Sequence, residues 1–213
     1  MEFKNIWINV FDCSKCPIRC DWVSKWVYIF ENDVSFSERY EQLIIDTINK
    51  TWKYKAHKCE LEWYPDIEIT DLSDNVVSYL EVKAQQRTFM AVERILPDWD
   101  LKPSETVALN LSDLLRYFEI KDEVNVPVFL IWVLKNRPCI VEDWEVKFYM
   151  QHAGFLKKVY EYYWDKRRFR RESWKWDVVN GQHKWVVVNY HFSLNELIEV
   201  DIKTENFLKI LIP

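Results

Sequence analysis

The pair Pro65-Asp66, then a short alternating run and a turn, then Glu81-Val82-Lys83, sets two carboxylates and an ammonium close together along the chain. Hydrolysis of a phosphodiester with a divalent ion needs carboxylates to hold the ion, a cation near the phosphate or the attacking water, and a rigid platform. The stretch from Asp66 to Lys83 supplies all three. Along Val77 to Ala84 a period of two puts Tyr79, Glu81 and Lys83 on one face and Leu80, Val82 and Ala84 on the other. Asp66 opens the preceding strand, and Asp71-Leu72-Ser73-Asp74-Asn75 carries the turn chemistry that folds that strand back beside Glu81. The competing reading makes Asp66 a turn residue after proline, and Glu81 and Lys83 a solvated strand face.

The elements around this stretch must hold it in place. Ser35-Phe36-Ser37-Glu38 has the form of a capping box, and Tyr40, Leu43, Ile44, Thr47 and Ile48 follow at helical spacing, which predicts a helix from about residue 36 to 51. Lys58 to Trp63 alternates, with Cys59, Leu61 and Trp63 on one face, and reads as a half-buried strand. Asp66 to Thr70 and Val76 to Ala84 complete a meander. Asn110 and Ser112 are candidate N-caps ahead of Leu114, Leu115 and Phe118, so a short amphipathic helix leads into Val126 to Leu134. That last run is apolar on both faces, as in a central strand covered by helices, so the expected class is an α/β or α+β fold.

Helix, meander with Pro65-Asp66 and Glu81-Val82-Lys83, helix and buried strand together resemble the PD-(D/E)xK, or restriction-endonuclease-like, nuclease superfamily, over roughly residues 35 to 135. The resemblance implies a central mixed sheet flanked by helices and a metal-dependent nuclease acting on DNA, of the restriction endonuclease kind. It implies that Asp66 and Glu81 ligate Mg2+, with Mn2+ as a substitute, that the Val82 carbonyl completes the site, and that Lys83 positions or activates the water. A further acid often comes from the first helix of such proteins; Glu41 is the candidate, while Glu38 is assigned to the cap. Glu68 shares a strand face with Asp66 through alternation alone. Gln85, and Gln86 after it, extend the Lys83 strand toward a loop where they could touch a nucleic-acid backbone. Enzymes of this kind commonly act as dimers, so the resemblance leaves room for a homodimer without fixing the oligomeric state. The alternative is a catalytically inactive nucleic-acid-binding or protein-interaction module with the same fold.

The chain reads as a single domain, with residues 136 to 213 elaborating the core. Phe155, Leu156, Val159, Tyr160 and Tyr163 have helical spacing. The basic cluster Lys166, Arg167, Arg168, Arg170 and Arg171, interleaved with aromatics, is a candidate grip on phosphates and bases, or else a solvated helix end. Asn180-Gly181 between Trp174–Val179 and Trp185–Phe192 predicts a β-hairpin, and Ser193-Leu194-Asn195-Glu196 a second capping box.

Composition limits the alternatives. With 213 residues, 49% hydrophobic, 16% aromatic and only 2 glycines, the chain can bury a full core and leaves no room for a glycine-rich phosphate loop. The formal charge of -5 excludes wholesale adhesion to polyanions but not a local basic groove. No apolar run approaches the roughly 20 residues of a membrane span, so no membrane partner and a cytoplasmic location are expected. Of 5 cysteines, Cys13, Cys16 and Cys20 crowd together and Cys59 and Cys139 stand apart, which is a poor disulfide framework; unliganded thiols are favoured over a metal or iron-sulfur site. The four histidines show no metal-ligand spacing.

Overall fold

The computed structural model describes residues 30–85, 89, 92–98, 101–135, 140–141, 145–170, 178–179, 182–183 and 188–212. The predicted first strand, its turn, Cys13, Cys16, Cys20, Cys139, Gln86, Arg171 and Trp174 lie outside the described residues.

Helix α1 (Phe30–Asn49) is followed by β1 (Lys55–Lys58), β2 (Ile67–Thr70) and β3 (Val76–Gln85). After the short α2 (Val92–Ile95) come β4 (Thr106–Asn110), α3 (Leu111–Glu123), β5 (Val128–Leu134), β6 (Lys147–His152) and α4 (Ala153–Tyr163). The remainder is β7 (Arg168–Arg170), β8 (Val178–Val179), β9 (Gln182–His183), β10 (Val188–Ser193), β11 (Ile198–Val200) and α5 (Glu205–Leu211). The central sheet has the order β1-β2-β3-β5-β6-β11. Only β3 and β5 pair in parallel; the other neighbours are antiparallel. This is a mixed α/β fold with helices on both faces of a mixed sheet, in the element order the resemblance implies.

All seven residues of β5 are buried, and their alternation divides the core. Leu130, Trp132 and Leu134 pack with Leu114 and Phe118 of α3 and Leu156 and Val159 of α4. Phe129, Ile131 and Val133 pack with Ile44 and Ile48 of α1 and Phe207 and Leu211 of α5. A central strand buried on both faces explains why that run carries no polar side chain. The same period sends Leu80 and Val82 of β3 toward the α1 side and Tyr79 toward the α3 side. Glu81 and Lys83 share the parity of Tyr79, so the charged pair of β3 belongs to the α3 side.

Four local expectations change. The first helix starts at Phe30, so Ser35 lies within it and Ser35 to Glu38 do not form its N-terminus. The Phe36 ring packs 4.7 Å from Tyr40, continuing the apolar stripe one turn before Tyr40. The strand expected from Lys58 to Trp63 lies instead at Lys55–Lys58, where the side chain of Asn49 bonds both the N–H and the carbonyl of Ala56. Beyond Lys58 the ladder with β2 ends, and Leu61 and Trp63 are exposed. Val188–Ser193 does not close the hairpin: β8 pairs with β9, while β10 pairs with β4 and β7 in a second, three-stranded sheet. Finally, the central sheet reaches past residue 135, since β6 and β11 form its far side.

Candidate active site

Antiparallel register sets the geometry. Ile67 lies opposite Leu80, so the residue before Ile67 meets the residue after Leu80. The N–H of Asp66 donates to Glu81 Oε2 at 3.3 Å, and Asp66 Oδ2 accepts from the N–H of Val82 at 2.8 Å. Buried Pro65 precedes Asp66 and contributes no N–H to the ladder. Glu81 is 2% exposed and forms an ion pair with Lys83 through Oε1. Asp66, Glu81, Lys83 and the Val82 backbone are thereby brought together.

The fifth member comes from α3. The hydroxyl of Tyr117 lies beside Glu81 and accepts from Arg116 Nη2 at 3.2 Å, and its ring lies 5.9 Å from Lys83 Nζ. Sequence reasoning missed Tyr117. Its signal was position: it falls one turn after Leu114 on the buried stripe of α3, and a buried tyrosine hydroxyl needs a polar partner. Asn110 caps α3 as expected, its side chain accepting from the N–H of Ser112.

Burial and the neighbouring Glu81 carboxylate push Asp66 up to about 7, against the opposing pull of the Val82 N–H and of Lys83. Burial disfavours charge on Lys83, but Glu81 beside it outweighs that and raises its pKa. Burial and the negative charge of Glu81 likewise raise Tyr117. Two carboxylates thus share Lys83, with Arg116 of α3 acting on Glu81 from farther away. The donor set consists of hard carboxylate oxygens, which fits an oxygen-preferring divalent cation. Among the described residues, however, no group of three His, Cys, Asp or Glu side chains converges in a way that could hold a metal ion.

Glu41 does not complete such a group. It is buried on α1, the helix on the opposite face of the sheet from α3, where Ser37 Oγ donates to it at 3.1 Å and Lys58 pairs with it at 3.2 Å. It lies close enough to contribute to the rise of Asp66, but its oxygens are held by those two partners. Glu38 is exposed within α1. Glu68 faces His57 on β1 at 3.2 Å.

Gln85 ends β3 and accepts from the N–H of Ala108 at 3.4 Å. It lines an open cleft of about 300 Å³ with Lys83, Phe89, Asn110, Asp113 and Asn189.

The basic cluster divides. Arg167 is 2% exposed: its Nη1 donates to both Glu196 oxygens at 2.6 and 2.7 Å, and its guanidinium lies 3.6 Å from the centre of the Tyr163 ring. It is therefore a core ion pair, not a solvent-facing grip, and the reason is the capping box at Ser193, which holds Glu196 inward. Arg168 is exposed and pairs with Asp165 at 3.0 Å, Lys166 is exposed, and Arg170 lies in β7.

No family model and no curated protein matches the chain. Among solved structures it is similar to Hjc from Archaeoglobus fulgidus, a Holliday junction resolvase from an archaeal hyperthermophile. The match has a TM-score of 0.40 and 10% identity, covering 77% of this chain and 91% of that one. A likeness at that level says nothing about activity.

Proposed function

We propose that this chain is a metal-dependent nuclease that hydrolyses phosphodiester bonds in DNA, with Asp66, Glu81 and Lys83 at its centre. The observation that carries this reading is the joining of Asp66, Glu81 and Lys83 across two adjacent strands, with Asp66 raised to about 7. Asp66 and Glu81, with the Val82 carbonyl, would hold Mg2+ or Mn2+. A divalent ion bound there supplies positive charge against the phosphate. Lys83 keeps an ammonium at the same spot, where it would orient a water or meet charge developing on the phosphate. Tyr117 covers one edge of Glu81 from α3. Asp66 loses its proton near neutral pH, so its carboxylate becomes available when positive charge arrives. The reading includes a cytoplasmic protein, active as a homodimer, with no membrane partner; no helix among the described residues is long and apolar enough to cross a membrane.

The test is cleavage of labelled single-stranded and duplex DNA with Mg2+ or Mn2+, compared with chelator and with Asp66→Asn and Glu81→Gln. Cleavage that needs the ion and both carboxylates supports the reading; equal activity in chelator or in either variant overturns it. A catalytically inactive nucleic-acid-binding module is the second reading, favoured by the absence of a three-ligand group among the described residues. DNA binding without cleavage under any divalent ion would select it.

A further inference from the structure

The loop between β1 and β2 does something that its sequence pattern does not require. Leu61 to Tyr64 forms a turn closed by the Tyr64 N–H on the Leu61 carbonyl at 3.2 Å, and Trp63 occupies its third position with φ 72°. A bulky residue rarely adopts that backbone conformation, which glycine or asparagine usually fills. Tyr64 is anchored inward, its ring 5.4 Å from that of Tyr79. Trp63 is turned outward and is 66% exposed. It stands three residues before Asp66, at the rim of the candidate site.

One face of the Trp63 indole is backed. The Arg116 guanidinium lies 5.6 Å from its ring centre and 5.0 Å from that of Tyr117, the residue beside Glu81. Arg116 is fixed in turn by Asp113 at 3.3 Å and by the Tyr117 hydroxyl, and its buried Nε has no hydrogen-bond partner. Such a guanidinium is committed to stacking, not to gripping phosphate. Glu60 and Glu62 of the same loop are exposed and would repel phosphates. An aromatic surface is what remains for recognition here.

We propose that Trp63 is a stacking platform for an unpaired nucleobase next to the scissile phosphate, with Arg116 as the positioning residue that holds the indole. It rests on the nuclease reading above and narrows its substrate to DNA with unpaired bases at the cleavage point. Every base has a π-face, so such a platform reads strandedness and not sequence. Bases inside a duplex are stacked on each other and cannot reach it.

The experiment measures binding by fluorescence anisotropy in chelator, so that it does not depend on cleavage. The probes are a short fluorescein-labelled single strand, the same strand with abasic sites, and the matching duplex. Trp63→Ala should lose about ten-fold in affinity for the single strand, with Trp63→Phe keeping most of it, Arg116→Met falling between, and duplex binding unchanged. The abasic strand should bind wild type as weakly as it binds Trp63→Ala, an effect that general loosening of the loop would not produce. Unchanged single-strand affinity in a folded Trp63→Ala protein overturns the platform, and if wild type still cleaves with metal the nuclease reading survives. Failure of wild type to bind or cleave any DNA overturns both.

Discussion

The backbone N–H of Asp66 donates to Glu81 Oε2 at 3.3 Å, so a side chain from the middle of β3 reaches the residue that opens the neighbouring strand. Each carboxylate is therefore placed by the other's strand: Glu81 by the start of β2, and Asp66 by the Val82 N–H of β3. Breaking the register between β2 and β3 would separate both acids at once.

Lys83 pairs with buried Glu81 and also acts on Asp66, so its removal leaves a buried carboxylate without its cation and should cost stability as well as slow the reaction. Lys83→Ala is expected to lose about 100- to 1,000-fold in cleavage rate while keeping manganese and DNA affinity. Titrations of both ligands beside the cleavage rate, with circular dichroism on the purified variant, provide the check. Cleavage near the wild-type rate would reduce Lys83 to a solvated strand residue.

Asp66 predicts a pH dependence whose sign follows from its shift. Its value is about 7 in the fold and 3.8 ordinarily, so between those limits the folded state holds a proton that the unfolded chain has released. In chelator, stability should therefore fall as pH rises from about 4 through 7, and flatten above that. Asp66→Asn removes the charge and should melt higher than wild type at pH values above 7, with the gap closing toward about pH 4. Thermal melts of the two proteins across that range measure it, and parallel curves would contradict the shift.

The basic stretch should separate into two behaviours. Arg167→Met leaves Glu196 buried without its partner and is expected to cost about 3–5 kcal/mol in a urea melt. Glutamine at the exposed Lys166 and Arg168 should leave stability nearly intact, and extending the change to Arg170 and Arg171 should weaken DNA binding and flatten its salt dependence. An unchanged salt slope would make these four a solvated surface.

Period and polarity alone carried much of the architecture. The apolar run of β5, the alternation of β3 and the stripe and cap of α3 are local patterns, and each element appears where its pattern placed it. The capping box at Ser193 was equally legible, although it starts a single 3-10 turn and not a longer helix. The shared parity of Glu81 and Lys83 required nothing beyond the pleat of one strand.

Only the tertiary structure decided which partners those patterns would meet. Alternation from Lys58 to Trp63 could not show that its ladder ends at Lys58, because β2 is four residues long and that length is set elsewhere. Val188–Ser193 carries the same strand signal beside β8 or beside β4, and the choice depends on which edge is left open to it. Arg167 looks like its basic neighbours in one dimension and differs only because Glu196, twenty-nine residues later, is buried against it. Tyr117 reached Glu81 in the same way, through a helix that packs on the charged face of β3. Residue type and spacing are local, whereas burial and partnership depend on contacts between distant segments, and those contacts form only when the whole sheet is assembled.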